Sequence, residues 1–324
     1  MNKPVLEIQN LTTRFESEQG IANALDGVSL QIHEGEVVGL VGESGSGKSM
    51  TGYSIMRLVE HPGSIVNGSI LYRGRNLCSL SPEELRKLRG DRIAMIFQDP
   101  MMSLNPVLRI DTQLSETLKA HRSIQKYDAN RRALEILHAM GIPSPEIRLR
   151  QYPHELSGGM RQRIAIAIAL LLEPDLIIAD EPTTALDVTI QAQIIHEFQT
   201  LIEVRGTSVL WITHDLAVAS TLADRLAIMY SGQIMEQGPA VEILSKPAHP
   251  YTQGLLRSIP SHNERGKPLA QIRGSAPALT QLPPGCPFSP RCEQAKSLCS
   301  SPVPTNQIGI SRSTRCHYPT VQTL

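Results

Sequence analysis

A glycine-rich segment at residues 42–49 constrains the fold of this chain more than any other feature of its sequence. The segment reads Gly-Glu-Ser-Gly-Ser-Gly-Lys-Ser and directly follows the apolar run Val37–Val41. This order is typical of a buried strand, a phosphate-binding loop and a helix in succession. Backbone N–H groups of such a loop surround a phosphate, and the positive end of the helix adds to the attraction. The segment therefore predicts a nucleoside triphosphate site in an α/β protein.

Two side chains of this segment have specific expected roles. The Lys48 ammonium is expected to reach the β- and γ-phosphates, and the Ser49 hydroxyl is expected to ligate Mg²⁺. The alternative is a glycine- and serine-rich turn in a protein that binds no nucleotide, which the complete motif in its strand–helix context disfavours. The residues predicted to bind the nucleotide here are Gly42, Ser44, Gly45, Gly47, Lys48 and Ser49.

Apolar runs and helix signals alternate along the chain. Residues 176–179 and 209–212 are short apolar runs, typical of strands buried on both faces of a parallel sheet. Residues 81–84 read Ser-Pro-Glu-Glu, which predicts a capping box with proline at the first helical position. Residues 131–140 have helical apolar spacing, and Gly141 is expected to end that helix. This alternation favours α/β architecture.

Polar residues follow the apolar runs at 176–179 and 209–212. Asp180 and Glu181 end the first run, where Asp180 is expected to hold Mg²⁺ through water and Glu181 to orient or deprotonate the attacking water. His214 follows the second run, at the sheet edge where ligands bind in open α/β folds, which favours a γ-phosphate contact. The simpler alternatives are a solvated acidic turn and a structural histidine.

A second anion-binding helix end is predicted at residues 156–160, Leu-Ser-Gly-Gly-Met, which precede the apolar stretch 164–172. Ser157 is a natural N-cap at a positive helix end. With this segment, the sequence resembles the ATP-binding subunits of ABC transporters over essentially the whole chain. The resemblance implies that Ser157 and Gly159 contact ATP held by the other subunit of a head-to-tail dimer. Met160 stands where the family usually has glutamine, and we expect this difference to tune binding.

The resemblance assigns roles to three more residues. Phe15 would stack on adenine, where tyrosine is commoner, because stacking needs only an aromatic face. Gln98 would ligate Mg²⁺ and sense the attacking water, and Asp187 would contact the dimer partner. The catalytic residues implied in this way are Glu181, His214 and Gln98.

The family also implies a domain organisation. A P-loop NTPase with a RecA-like core, an antiparallel β subdomain and a helical subdomain at about residues 99–160 is expected. The chain places 12 of its 23 prolines between residues 247 and 319, a density that long helices and central strands do not hold. We therefore predict an ATPase domain at 1–242 and a loop-rich C-terminal extension at 243–324.

Four cysteines lie in the last 39 residues, namely Cys286, Cys292, Cys299 and Cys316. Four thiolates can hold either a 4Fe–4S cluster or a structural Zn²⁺ ion. Zinc sites usually contain closely spaced cysteine pairs, which these spacings lack. Segments 99–106 and 249–256 resemble the dipeptide and oligopeptide importers. Since ATPases of the dipeptide type carry a similar cysteine set, the resemblance implies a 4Fe–4S cluster; zinc and unligated thiols remain alternatives.

Charge and hydropathy bear on the partners. The 31 basic and 31 acidic residues balance, so the chain lacks the excess positive charge of a nucleic-acid binder. Its longest strongly apolar run, 164–172, is far below the about 20 residues that a membrane span needs, and the N-terminus lacks the apolar stretch of a signal peptide. These features predict a cytoplasmic chain that binds no nucleic acid.

The resemblance implies the assembly in which this chain acts. It would be the ATP-hydrolysing subunit of an importer for dipeptides or oligopeptides, at the cytoplasmic face of the inner membrane. Its expected partners are two transmembrane permeases, a second ABC ATPase in a mixed dimer, and an extracytoplasmic peptide-binding protein. One alternative is the same role for nickel, glutathione or another solute. A second is a soluble ABC ATPase that acts on ribosomes or DNA.

Overall fold

The structure is a computed structural model that describes residues 3–17, 20–184, 186–259 and 270–320. The chain divides into two compact units, each assembled from separate stretches of sequence. The first unit comprises Met1–Val5, His33–Glu36 and Ser79–Leu210, and the second comprises Leu6–Ile32, Val37–Cys78 and Trp211–Leu324. Among the described residues, no helix has the length and apolar character that crossing a membrane requires.

Strands and helices alternate through much of the chain. The strands are β1 (Pro4–Ser17), β2 (Gly20–His33), β3 (Val37–Val41), β4 (Gly63–Tyr72), β5 (Arg75–Asn76), β6 (Ile93–Ile96), β7 (Leu176–Asp180), β8 (Ser208–Thr213), β9 (Arg225–Tyr230), β10 (Gln233–Pro239), β11 (Thr305–Ile308) and β12 (Arg312–Arg315). The helices are α1 (Lys48–Ile55), α2 (Pro82–Leu88), α3 (Ile110–His121), α4 (Lys126–Ala139), α5 (Pro145–Arg148), α6 (Gly158–Leu170), α7 (Val188–Arg205), α8 (Leu216–Leu222), α9 (Ala240–Ser245) and α10 (Pro250–Arg257).

Both parallel and antiparallel pairing occur. A four-stranded sheet has the order β2-β1-β4-β5, in which β4 is antiparallel to β1 and to β5. In the second unit, β3 pairs in parallel with β9, and β9, β10, β12 and β11 continue as antiparallel neighbours. In the first unit, β6 and β7 pair in parallel. The predicted α/β fold with an antiparallel β subdomain is confirmed.

Several local predictions are confirmed in detail. Every residue of β3, β7 and β8 is buried, as expected for strands covered on both faces. Ser81 caps α2: its hydroxyl accepts from the Glu84 N–H at 3.3 Å, and the Glu84 carboxylate accepts from the Ser81 N–H at 2.9 Å. Gly141 has φ 61°, the left-handed conformation that ends a helix.

Two helices start earlier than their apolar patterns indicate. Helix α4 begins at Lys126, five residues before the predicted start at 131, and α6 begins at Gly158 rather than at 164. The first turns of both helices are polar or glycine-rich, so apolar spacing does not mark them. Caps mark helix starts better than apolar periodicity does, as Ser157 shows for α6.

The expected loop-rich extension contains a hairpin, β11–β12, which joins strand β10. A buried ion pair fixes this junction, because Arg312 donates to the fully buried Glu236 carboxylate, at 3.1 Å from Nε. The same carboxylate accepts from the N–H groups of Ala248, at 2.9 Å, and His249, at 3.0 Å. The Arg312 guanidinium, through Nε and Nη2, neutralises this buried charge, and the two N–H groups stabilise it further, so that the extension is attached to β10.

The core of the second unit includes side chains from the extension. Val41 of β3 and Tyr230 of β9 belong to the same buried cluster as Tyr251 of α10 and Phe288. The Tyr230 and Phe288 rings meet edge to face, with centroids 5.4 Å apart, a favourable aromatic geometry. Residues beyond 242 therefore share a buried cluster with the strand that leads into the glycine-rich loop.

Candidate functional site

The glycine-rich loop connects β3 to α1 and is curled tightly. Gly47 has φ 104°, and a Cβ there would lie 2.6 Å from the Ala24 carbonyl oxygen. A Cβ at Gly42 would lie 2.2 Å from the Met229 carbonyl oxygen. Only glycine fits both positions, because any side chain would collide with backbone atoms. The predicted strand–loop–helix order is therefore present, and the spacing of its glycines has a steric cause.

Lys48 is the first residue of α1 and is buried, with 4% of its surface exposed. Its Nζ atom donates to the carbonyl oxygens of Gly42 and Glu43, each at 2.9 Å. The ammonium group therefore lies within the curve of the loop. Ser49 follows it and is half-buried, while Ser44 and Gly45 are exposed at the tip of the loop.

Two more predicted residues belong to the same unit as the loop. Phe15 on β1 is half-buried and lies opposite Gly63 of β4, where a Cβ would come within 2.7 Å of the aromatic ring. His214 is exposed and follows β8, immediately before Asp215, which caps α8 by accepting from the Ala217 N–H at 2.8 Å. Strand ends and caps thus set the positions of both side chains.

In the first unit, the predicted catalytic pair Gln98 and Glu181 is in contact. The Gln98 amide donates to a Glu181 carboxylate oxygen at 3.2 Å, and the Thr184 hydroxyl donates to the same oxygen at 3.1 Å. Glu181 has φ 45°, an uncommon backbone conformation for a glutamate and one that occurs often at functional sites. Asp180 is buried at the end of β7. The Glu181 carboxylate is therefore held in place by two side-chain donors.

The starts of α6 and α7 lie together in the first unit. Ser157 caps α6 by accepting from the Met160 N–H at 3.3 Å, which confirms the predicted N-cap. A Cβ at Gly159 would lie 3.1 Å from the Ile190 side chain. Asp187 caps α7 by accepting from the Ile190 N–H at 3.0 Å. Asp187 thus has a structural role as a helix cap that was not predicted, although an acidic residue before a helix is a recognisable cap signal.

The four C-terminal cysteines line one small cavity of about 20 Å³, together with His249 and Phe288. All four are free thiols, and burial raises the pKa of the Cys286 thiol to about 11 and also raises the pKa values of Cys292 and Cys316. Within the described ranges, no group of three His, Cys, Asp or Glu side chains could hold a metal ion. The predicted convergence of the thiols is present, but the predicted metal site is not confirmed.

A contact between the extension and the loop was not predicted from the sequence. Arg291 donates to both carboxylate oxygens of Glu43, at 2.7 Å from Nη1 and 3.1 Å from Nη2. The Glu43 N–H donates to the Tyr251 hydroxyl at 3.0 Å. Burial opposes the charged form of Arg291, but its hydrogen bonds to Glu43 and Tyr230 prevail and raise the guanidinium pKa. Arg291 and Glu43 are 248 positions apart, and no local pattern indicates their contact.

A tightly curled glycine loop with a buried lysine, followed by a helix, together with an acidic strand end, defines a P-loop nucleoside triphosphatase. Comparisons with known proteins narrow this class. Residues 25–184 match the ABC transporter family, and residues 235–299 match the C-terminal region of oligopeptide/dipeptide transporters.

Related proteins and solved structures point to the same family. The chain is 48% identical to the dipeptide transport ATP-binding protein DppD of Bacillus subtilis, over 94% of this chain and 91% of that protein. It is 43% identical to the oligopeptide transport ATP-binding protein OppD of Escherichia coli, over 99% and 95%. A dimeric ATP-binding cassette, MJ0796, bound to ADP and Pi, superimposes with a TM-score of 0.66 at 31% identity, over 72% of this chain and 98% of that one. The chain belongs to the ATP-binding subunits of ABC transporters, within the oligopeptide/dipeptide family, and is a transport ATPase.

Proposed function

We propose that this chain hydrolyses ATP to power the uptake of dipeptides or oligopeptides through membrane permeases. The observation that carries the proposal is the match of residues 235–299 to the C-terminal region of oligopeptide/dipeptide transporters. Relatives named as dipeptide and oligopeptide transport ATP-binding proteins align over nearly the whole chain. In this proposal, residues 1–242 form the ATPase domain and residues 243–324 the peptide-importer extension.

The loop of the second unit would bind the triphosphate. Backbone N–H groups between Gly42 and Gly47 would surround the β-phosphate, and the Lys48 ammonium would exchange its carbonyl partners for phosphate oxygens. Phe15 would stack on the adenine. The buried position of Lys48 supports this role, because a charge shielded from water interacts more strongly with a phosphate.

The proposed hydrolytic residues come from several parts of the chain. Oxygen ligands suit Mg²⁺, and Ser49, Gln98 and Asp180 provide a hydroxyl, an amide and a carboxylate. When bound, Mg²⁺ neutralises developing phosphate charge. Glu181 would then accept a proton from the attacking water while Gln98 orients it, and His214 would contact the γ-phosphate. The Gln98–Glu181 hydrogen bond supports this pairing.

The helix start at Ser157 would complete a second subunit's site. We propose a head-to-tail dimer, in which Ser157 and Gly159 contact the γ-phosphate held by the partner ATPase. Asp187 would also contact that partner. The exposed position of Ser157 and Gly158 at a helix N-terminus supports an anion contact. ATP would favour the closed dimer, and hydrolysis would favour its opening.

Co-purification tests the assembly. We expect the tagged chain, isolated from its native membranes in mild detergent, to bring two multi-span permeases and a second peptide-type ATPase. Such partners would place it at the cytoplasmic face of the inner membrane, working with an extracytoplasmic peptide-binding protein. Isolation with ribosomal proteins, or without any membrane protein, would contradict the proposal. A binding protein in the same assembly that retains nickel or glutathione instead of peptides would favour the alternative solutes.

We also propose that the four C-terminal cysteines hold a 4Fe–4S cluster. Their convergence on one cavity supports this, and four separate thiolates are the usual ligands of such a cluster. The cluster would cross-link an extension rich in proline. Cys286, Cys292, Cys299 and Cys316 are its proposed ligands.

Chemical analysis of anaerobically purified protein tests this cluster. We expect about four iron and four sulfide per chain, with loss of both in Cys286→Ser. Cys78→Ser is the control and should retain both, because Cys78 lies outside the extension. Cluster loss should also lower the melting temperature, because the cross-link between segments of the extension is removed. One zinc per chain would establish the zinc alternative, and a metal-free chain that takes up no iron and sulfide on reconstitution would contradict both.

A further inference from the structure

We propose that Arg291 is a positioning residue for the phosphate-binding loop: it holds and neutralises Glu43, and so keeps the loop competent for ATP. The inference rests on the proposed binding of ATP by this loop. It adds a residue from the C-terminal extension, outside the glycine-rich motif, to the determinants of nucleotide affinity. Arg291 acts through Glu43 and is not itself expected to touch the nucleotide.

The contact restrains the loop at two points. The Arg291 guanidinium forms a bidentate ion pair with the Glu43 side chain, the geometry in which arginine binds carboxylates most specifically. The Glu43 main chain is held separately, since its N–H donates to the Tyr251 hydroxyl. Side chain and backbone of one loop residue are thus both attached to residues of the extension.

The Arg291 side chain is also held by contacts other than its ion pair with Glu43. Only 7% of its side chain is exposed, its Nε donates to the Arg273 carbonyl at 2.9 Å, and Nη1 lies 3.3 Å from the Tyr230 hydroxyl. The guanidinium carbon lies 5.8 Å from the Tyr230 ring centre and 6.0 Å from that of Phe288. A side chain held in this way loses little additional entropy when it binds the carboxylate.

Charge explains why the pair would matter for ATP. Glu43 follows Gly42 in the loop, and its carbonyl oxygen accepts from the same Lys48 ammonium that is expected to reach the phosphates. An unneutralised carboxylate at this position would repel the triphosphate and compete for Lys48. Arg291 cancels that charge. Because Arg291 directly precedes Cys292, the affinity of the loop also becomes dependent on correct folding of the cysteine-bearing segment.

A double-mutant cycle tests the proposal in the full-length chain. We expect Arg291→Ala to weaken Mg-ATP binding about tenfold in the wild-type background, but less than about twofold in the Glu43→Gln background, where no charge needs neutralising. Arg291→Lys should fall between, because it restores the charge without the bidentate geometry. In steady-state hydrolysis, Arg291→Ala should raise KM more than it lowers kcat.

Arg273→Ala is the matched control, because it removes an arginine of the same extension whose side chain is exposed and pairs with Glu293, while the Arg273 carbonyl that accepts from Arg291 is kept. It should bind ATP like the wild type. Wild-type affinity in Arg291→Ala would overturn the proposal. An equal loss in both Glu43 backgrounds would also overturn it, since that result indicates general damage to the extension. If the wild type itself binds no ATP, the assignment of the loop as an ATP site fails first.

Discussion

ATP turnover is expected to fall at least about a hundredfold when Glu181 is replaced by glutamine, the range that loss of a general base produces. Glutamine keeps the size of the side chain and can still hydrogen-bond to Gln98 and Thr184, but it cannot accept a proton from the attacking water. ATP binding should persist, and the ATP-bound dimer should accumulate because hydrolysis no longer opens it. Phosphate release, nucleotide binding and gel filtration measure these three effects.

Glu135→Gln is a suitable control for this prediction. Glu135 lies on helix α4 in the same unit, is exposed, and pairs with Arg131 across one helical turn at 3.0 Å. Its neutralisation should leave turnover unchanged, since exposed pairs of this kind contribute little. Turnover at the wild-type rate in Glu181→Gln would remove Glu181 from the proposed role of catalytic carboxylate.

Loss of nucleotide binding is the expected result for Lys48→Met. The ammonium is buried within the loop, and methionine has a similar length without charge. Charged hydrogen bonds contribute about 1.5–3 kcal/mol each, so losing contacts to two phosphates should weaken Mg-ATP binding at least about a hundredfold. Titration calorimetry measures the affinity, and thermal unfolding without nucleotide checks that the fold is intact.

The exposed Lys87 on α2 offers the matched control, and Lys87→Met should bind ATP normally. The two principal variants have opposite signatures: Glu181→Gln binds without hydrolysing, and Lys48→Met does not bind. Retained affinity in Lys48→Met would mean that the ammonium does not reach the phosphates. Equal loss of binding in both variants would indicate that Glu181 helps to hold ATP and does not act only in hydrolysis.

Much of the fold could be predicted because its signals are local. Strand β3 is apolar throughout, and the caps at Ser81 and Ser157 are encoded within three or four residues. The hairpin β11–β12 could not be predicted in this way, because its strands read Thr-Asn-Gln-Ile and Arg-Ser-Thr-Arg and lack an apolar alternation. Its second strand is held by the ion pair of Arg312 with Glu236. Because Glu236 lies 76 positions earlier in the chain, no local pattern indicates this contact.

The site likewise combines features with a local sequence signal and features that depend on distant contacts. The motif around Lys48 was recognisable because the steric demands of a phosphate loop fix its glycines at set spacings. The contact of Glu43 with Arg291 depends on tertiary packing and has no such spacing. The four cysteines are an intermediate case. Their residue type predicts that they converge, but it does not predict how they are arranged around their cavity.

The buried Glu236 carboxylate also constrains when this protein can finish folding during its synthesis. A ribosome makes the N-terminal part first, so Glu236 is made 76 residues before Arg312, the guanidinium that neutralises it. Leaving one member of a buried ion pair alone costs about 3–5 kcal/mol, a large fraction of the stability of most domains. A nascent chain should therefore not complete strand β10 and its surroundings until Arg312 has been synthesised. A chain truncated before Arg312 would carry the complete glycine-rich motif and still lack the partner that neutralises Glu236.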